Sequence, residues 1–109
     1  MQTTQEQPKG EKRLLRVLDS DALIVFQYRE KEQICGRCYL QPEMLIDDVK
    51  RRVANDSWIG KDIHPALIQL YVQADPLDKE TLIGPLFVLD TLSKYLDDND
   101  AILCVKRVQ

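Results

Sequence analysis

The sequence predicts an α+β domain, a mixed sheet of four to five strands with one main helix packed across it. Three observations lead there. Short runs rich in β-branched and aromatic residues, at Ala22–Tyr28 and Ala66–Val72, have strand composition. A single stretch after Pro42 carries apolar residues at helical spacing. Strands and helices do not alternate, as a parallel α/β chain requires.

Residues 1–12 are polar and lack apolar periodicity, so they read as a disordered leader before a domain spanning 13–109. Leu14–Leu18 is a short apolar stretch closed by the turn-forming Asp19-Ser20-Asp21. The strand Ala22–Tyr28 is followed by a charged turn, Arg29–Glu32. Gln33–Leu40 then alternates in part and is expected to return as the second arm of a hairpin. Pro42 is expected to open the main helix, where its missing N–H costs nothing. Glu43, Asp47 and Asp48 come early and Lys50, Arg51 and Arg52 late, an order that suits the helix dipole. Leu45, Val49, Arg52 and Val53 share one face, with Ile46 beside them, and the helix is expected to end near 55–57.

Beyond it, Trp58–Pro65 is a connector in which Trp58 is expected to cap the core. After the strand Ala66–Val72, Asp75-Pro76 and Asp78 mark a turn. Thr81–Ile83 reads as a short strand stopped by Gly84-Pro85. Asp90 and Thr91 are placed to cap a helical turn over Leu92–Leu96. Ala101–Val105 is apolar on both faces, which predicts a final strand in the middle of the sheet.

Composition narrows the function classes. The chain has 109 residues, enough for one core, with 44% hydrophobic and 30% charged residues. A net charge of −3, with signs mixed along the chain, argues against nucleic acid as a partner. No apolar run approaches the roughly 20 residues that span a bilayer. Three cysteines, an odd number, suit a reducing compartment, so the expected location is intracellular and cytoplasmic.

The element order is strand, strand, helix, strand, short strand, helical turn, strand, and it resembles the ubiquitin-like β-grasp fold. Thr91-Leu92-Ser93-Lys94-Tyr95, a polar loop and Ala101–Val105 are similar to ubiquitin's closing segment, where a Thr-Leu-Ser-Asp-Tyr turn precedes the last, central strand. The resemblance implies that Leu92 plugs the core and that Tyr95 pins the loop before that strand. The chain does not end in Gly-Gly, so it does not resemble a conjugated modifier.

Longer stretches at Val72–Thr91 and around Trp58 resemble three relatives: Ras-association domains, the first lobe of FERM domains and Crinkler-type header domains. Ala66–Val72, Pro85-Leu86 and Leu92-Ser93-x-Tyr95 are similar to the last of these. The implied function is a non-enzymatic protein–protein interaction or scaffold module. In Ras-association domains, basic residues on the second strand and first helix meet acidic residues of a small GTPase, and the two sheets join edge to edge. That resemblance assigns partner-binding roles to Arg37, Lys50 and Arg51. Arg29, Lys31 and Tyr39 on the same hairpin complete the expected surface. The expected partner is a protein, a small GTPase or a larger parent assembly. Self-association through the same edge is the structural alternative.

One motif points elsewhere. Cys35-Gly36-Arg37-Cys38 has the spacing of a redox disulfide, with Cys35 as nucleophile and Cys38 as resolving thiol. An apolar strand before it, and His64-Pro65 before Ala66, add a partial similarity to thioredoxin. Against this, Pro42 places the thiols ahead of the helix, and the chain's last element reads as a strand. In a strand, Cys35 and Cys38 point to opposite faces. A structural zinc site needs four ligands, and only Cys104 and His64 remain to supplement the pair. The sequence therefore predicts no catalytic residue, no metal and no cofactor.

Overall fold

The computed structural model describes residues 11–28, 39–55, 64–97 and 100–108. Among them, six strands form one mixed sheet in the order β3-β2-β1-β6-β4-β5. The strands are β1 (Glu11–Val17), β2 (Ala22–Tyr28), β3 (Tyr39–Leu40), β4 (Ile68–Gln73), β5 (Leu82–Ile83) and β6 (Ile102–Arg107). The main helix is α1 (Ile46–Asn55), and a single turn, α2 (Ser93–Leu96), precedes β6. The sheet is thus one strand larger than the sequence suggests, because the apolar stretch that starts at Leu14 lies in a strand, β1.

The hairpin is corrected. β2 pairs antiparallel with β1, from Ala22 opposite Val17 to Tyr28 opposite Glu11. Of the Gln33–Leu40 stretch, Tyr39 and Leu40 are described, and they run parallel to Gln27 and Tyr28 rather than antiparallel. The physical reason lies in the turns. Leu18–Asp21 closes tightly, with Asp21 N–H donating to the Val17 carbonyl at 2.7 Å and Asp21 itself at positive φ. Asp tolerates that backbone region better than most residues. Arg29–Glu32 lacks such chemistry. β1 also takes in Glu11 and Lys12, which the sequence assigns to the leader.

β6 lies in the middle, as its two apolar faces predict, parallel to β1 and antiparallel to β4. Ala101 to Val105 are all buried. α1 lies on one face of the sheet and buries Ile46, Val49, Val53 and Ala54 against it. Leu15, Val17, Phe26, Leu70, Val72, Leu92 and Leu103 belong to the same core.

α1 begins at Ile46, not at Pro42. The carbonyls of Pro42 and Met44 accept the Ser93 and Leu92 N–H groups at 2.9 and 2.8 Å, so they are committed before a helix can use them. The helix's own first donors are satisfied by main chain: Ile46 N–H donates to the Asp90 carbonyl at 2.8 Å and Asp47 N–H to the Val88 carbonyl at 3.0 Å. Its buried stripe also differs from the expected one. Arg52 is exposed, and Leu45 precedes the helix, bridging to Thr91.

Leu92 is completely buried, as the ubiquitin resemblance implies. Tyr95 does a different job from the implied one. Its hydroxyl donates to Asp90, so it fixes the segment before α2. The loop before β6 is held instead by Arg13, a buried side chain of β1. Arg13 Nη1 donates to the Leu96 carbonyl at 2.7 Å and Nη2 to the Ala101 carbonyl at 3.1 Å. Its guanidinium lies 5.4 Å from the Tyr28 ring centre, and the Tyr28 hydroxyl donates to Asp97 at 2.8 Å.

Candidate protein-interaction surface

The expected surface falls only partly on described residues. Arg29, Lys31 and Arg37 lie outside them. Tyr39 is in β3, the strand at one edge of the sheet. Lys50 and Arg51 are on α1 but point differently. Lys50 is half-buried beside the apolar stripe, whereas Arg51 is exposed.

A concave surface of about 600 Å³ runs between the chain just past β3 and the outer side of α1. Gln41 and Met44 line it from the β3 side, and Asp48, Arg51, Arg52 and Asn55 from the helix. The helical members recur at three- and four-residue spacing, which puts them on one face. The structure therefore brings Arg51 and the exit of the edge strand together and leaves Lys50 out. Gln41, Met44, Asp48, Arg52 and Asn55 are lining residues that the sequence reading did not select. The helical spacing from Asp48 to Asn55 was the available signal, and it was obscured by counting Arg52 among the packing residues.

The electrostatics of this groove are mixed. Arg51 Nη2 lies 2.9 Å from Asp47 Oδ2, and Nη1 lies 3.7 Å from Asp48 Oδ1. Both pairs are solvent-exposed, so each contributes little to stability, and the guanidinium can exchange these partners for others at small cost.

The opposite face of the sheet is built differently. Arg16 is buried there, with Nε donating to Gln73 Oε1 at 3.1 Å and Nη1 to Asp21 Oδ1 at 3.1 Å. Gln73 Nε2 in turn donates to the carbonyls of Asp75 and Pro76, both at 3.1 Å. These bonds hold the 74–81 loop against the sheet. Cys104 is a free, fully buried thiol on this side, and burial pushes its pKa up. Arg16 chiefly, then Lys79, holds the Asp21 carboxyl below the usual carboxylate range.

The solution structure of the C-terminal ubiquitin-like domain of mouse tubulin-specific chaperone e is similar to this chain, with a TM-score of 0.59 and 14% sequence identity over 97% of this chain and 96% of that one. The chain has the ubiquitin-like β-grasp fold. No protein-family model and no curated protein sequence matches it.

The β-grasp topology is not that of thioredoxin. The chain's last described element is a central strand, and Cys38 is followed by strand β3, well ahead of α1. The thiols of Cys35 and Cys38, like Trp58, lie outside the described residues. His64 is exposed, and its Nδ1 accepts the Ala66 N–H at 3.1 Å, capping the short turn that leads into β4. Among the described residues, no group of three or more His, Cys, Asp or Glu side chains is placed to hold a metal ion. Among the same residues, no helix is long and apolar enough to cross a membrane.

Proposed function

We propose that this chain is a non-enzymatic protein-interaction module that binds a protein partner across the groove between β3 and α1. One observation carries the reading: the chain just past the edge strand β3 and an exposed helix face line one concave surface, with Arg51 and Arg52 on its wall. An edge strand offers main-chain hydrogen bonds to an incoming segment, and flanking charges select which segment enters. Two arginines favour an acidic partner, because a guanidinium pairs with carboxylates in a fixed, two-pronged geometry. A small GTPase is the partner class we name. Arg29, Lys31, Arg37 and Tyr39 extend the same surface in this reading. Lys50 is dropped from it because the groove does not include that side chain.

The test is calorimetric titration of the full chain with a panel of small GTPases, each loaded with a non-hydrolysable GTP analogue. Binding that weakens at least tenfold in the double variant Arg51→Glu, Arg52→Glu supports the proposal. Circular dichroism must first show that the variant keeps its helix, since a carboxylate at position 51 would stand beside Asp47 and Asp48. Binding that the double variant leaves unchanged removes the groove from the mechanism. If no member of the panel binds, the named partner class is wrong.

A further inference from the structure

The 74–81 loop carries a leucine that the fold leaves in water. Leu77 is 93% exposed. Its main chain is nonetheless fixed. Leu77 N–H donates to Asp75 Oδ1 at 2.9 Å, and Asp78 N–H donates to the Asp75 carbonyl at 2.9 Å. The Gln73 amide group holds the Asp75 and Pro76 carbonyls, and Arg16 Nη2 reaches the Lys79 carbonyl at 3.4 Å. Gln73 and Arg16 are themselves buried, so the loop is anchored to the sheet on both sides of Leu77. A lone exposed leucine is ordinary on a protein surface. This one is a rigid apolar knob, and a knob ordered in advance loses little freedom when something covers it.

A cavity of about 240 Å³ opens beside the knob, where β1 and β6 begin. Leu14, Pro76, Ala101 and Ile102 give it an apolar lining, and Lys12, Arg13 and Asp100 are its charged members. β1 and β6 run parallel with Leu15 beside Leu103, which sets Leu14 beside Ile102 on the face away from α1. A cavity of about 150 Å³ takes up a benzene-sized group, so a leucine side chain fits in this one. Apolar surface also continues outward from it. Leu14 is 37% exposed, Val25 opposite it is 56% exposed, and Leu23 is 57% exposed.

We infer that two copies of this chain associate through this face, each placing its Leu77 in the other's cavity. Pro76 lines the cavity and Leu77 follows it in the chain, so knob and hole are neighbours. A two-fold axis between them seats both leucines at once, as a self-complementary dimer requires. Charge fits the same pairing. Lys12 stands at the cavity, and Asp75 and Asp78 flank Leu77. Lys12 of one copy therefore meets carboxylates of the other. Lys79, the cation nearest the knob in sequence, is already engaged by Asp21 at 3.4 Å. The groove described above borders α1, on the other face of the sheet, so the two surfaces are separate.

The experiment is sedimentation velocity on the full chain under reducing conditions, from low micromolar to millimolar concentration. It is paired with nuclear Overhauser measurements on a mixture of isotope-labelled and unlabelled chains. The expected result is a mass that doubles with concentration, with intermolecular contacts from the Leu77 methyls to Leu14 and Ile102. Leu77→Ser, at an exposed position outside the core, is expected to weaken the dimer about a hundredfold, since two buried leucines are lost per dimer. Leu14→Arg blocks the cavity and is expected to weaken it similarly. An equal mixture of these two variants restores one knob and one hole, and is expected to associate more tightly than either alone. Leu89→Ser removes an exposed leucine elsewhere and is expected to dimerise like the unaltered chain. Five results overturn the inference: a monomer at every concentration, a dimer that Leu77→Ser leaves unchanged, a mixture no tighter than its two components, a dimer lost in Leu89→Ser, or a dimer without the Leu77 contacts. Dimerisation by the Arg51→Glu, Arg52→Glu variant keeps this outcome distinct from that of the groove.

Discussion

Replacing Arg13 with Met tests whether one buried guanidinium holds the end of the chain in the sheet. Met keeps most of the aliphatic stem, so the loss is confined to the polar head. The head donates to the Leu96 and Ala101 carbonyls at 2.7 and 3.1 Å. Bonds from a charged donor contribute roughly 1.5–3 kcal/mol each, and part of this returns when water reaches the freed carbonyls near the surface. The stacking on Tyr28 at 5.4 Å adds about 0.5–1 kcal/mol. The expected destabilisation is about 3 kcal/mol. For a chain of 109 residues the unfolding entropy is about 230 cal/mol/K, so the midpoint should fall by about 13 °C.

Urea denaturation followed by tryptophan fluorescence and circular dichroism measures this change. An unchanged m-value would show that the comparison stays two-state. Hydrogen exchange should accelerate first at Ala101, whose carbonyl Arg13 holds, and at Ile102 next to it. Arg51→Ala is the control. Its exposed pairs with Asp47 and Asp48 predict a loss below about 1 kcal/mol. If Arg13→Met costs no more than that control, the Arg13 bridge does not hold the 97–101 loop, and the account of how β6 is seated fails.

Two other outcomes follow from single side chains. Gly84 sits at φ +145°, and an added Cβ would come within 2.8 Å of the Tyr71 ring and 3.0 Å of the Leu70 carbonyl, so Gly84→Ala should cost about 1–3 kcal/mol in urea unfolding; a neutral result would mean that β4 and the 84–86 segment do not pack this closely. The Asp90 carboxyl is held below its ordinary pKa, chiefly by the Tyr95 hydroxyl and further by Lys94, against the opposing effect of partial burial. A carboxylate with a lowered folded-state pKa contributes stability above its unfolded pKa, and that contribution is lost as the pH falls through the folded value. The advantage of the unaltered chain over Asp90→Asn should therefore shrink on acidification below about pH 4, and an advantage constant across that range would show that the Asp90–Tyr95 contact is not a charged one.

Much of the fold was legible without coordinates because it depends on local chemistry. Ala101–Val105 is apolar at every position, and only a strand covered on both faces suits such a run. Ala22–Tyr28, the β4 region and a single helix with acidic residues before basic ones follow from propensity and dipole. Leu92 as a core plug followed from a five-residue resemblance. What failed were pairings between distant segments. Gln33–Leu40 alternates well enough to suggest a hairpin, but alternation does not say which strand is the neighbour. The Leu18–Asp21 turn gave the antiparallel place to β1, and Tyr39 and Leu40 of β3 run parallel to β2 on its other side.

The sequence by itself determined the class of the domain, its central last strand and a net charge of −3, because composition and periodicity act over a few residues at a time. The tertiary structure alone decided where α1 begins, since the carbonyls of Pro42 and Met44 are claimed by the Ser93 and Leu92 amides from far along the chain. It also decided that Arg13 and Arg16 are buried, on opposite faces of β1. A guanidinium enters a folded interior only where several acceptors converge. Those acceptors, Leu96, Ala101, Gln73 and Asp21, meet the two arginines only once the sheet has closed.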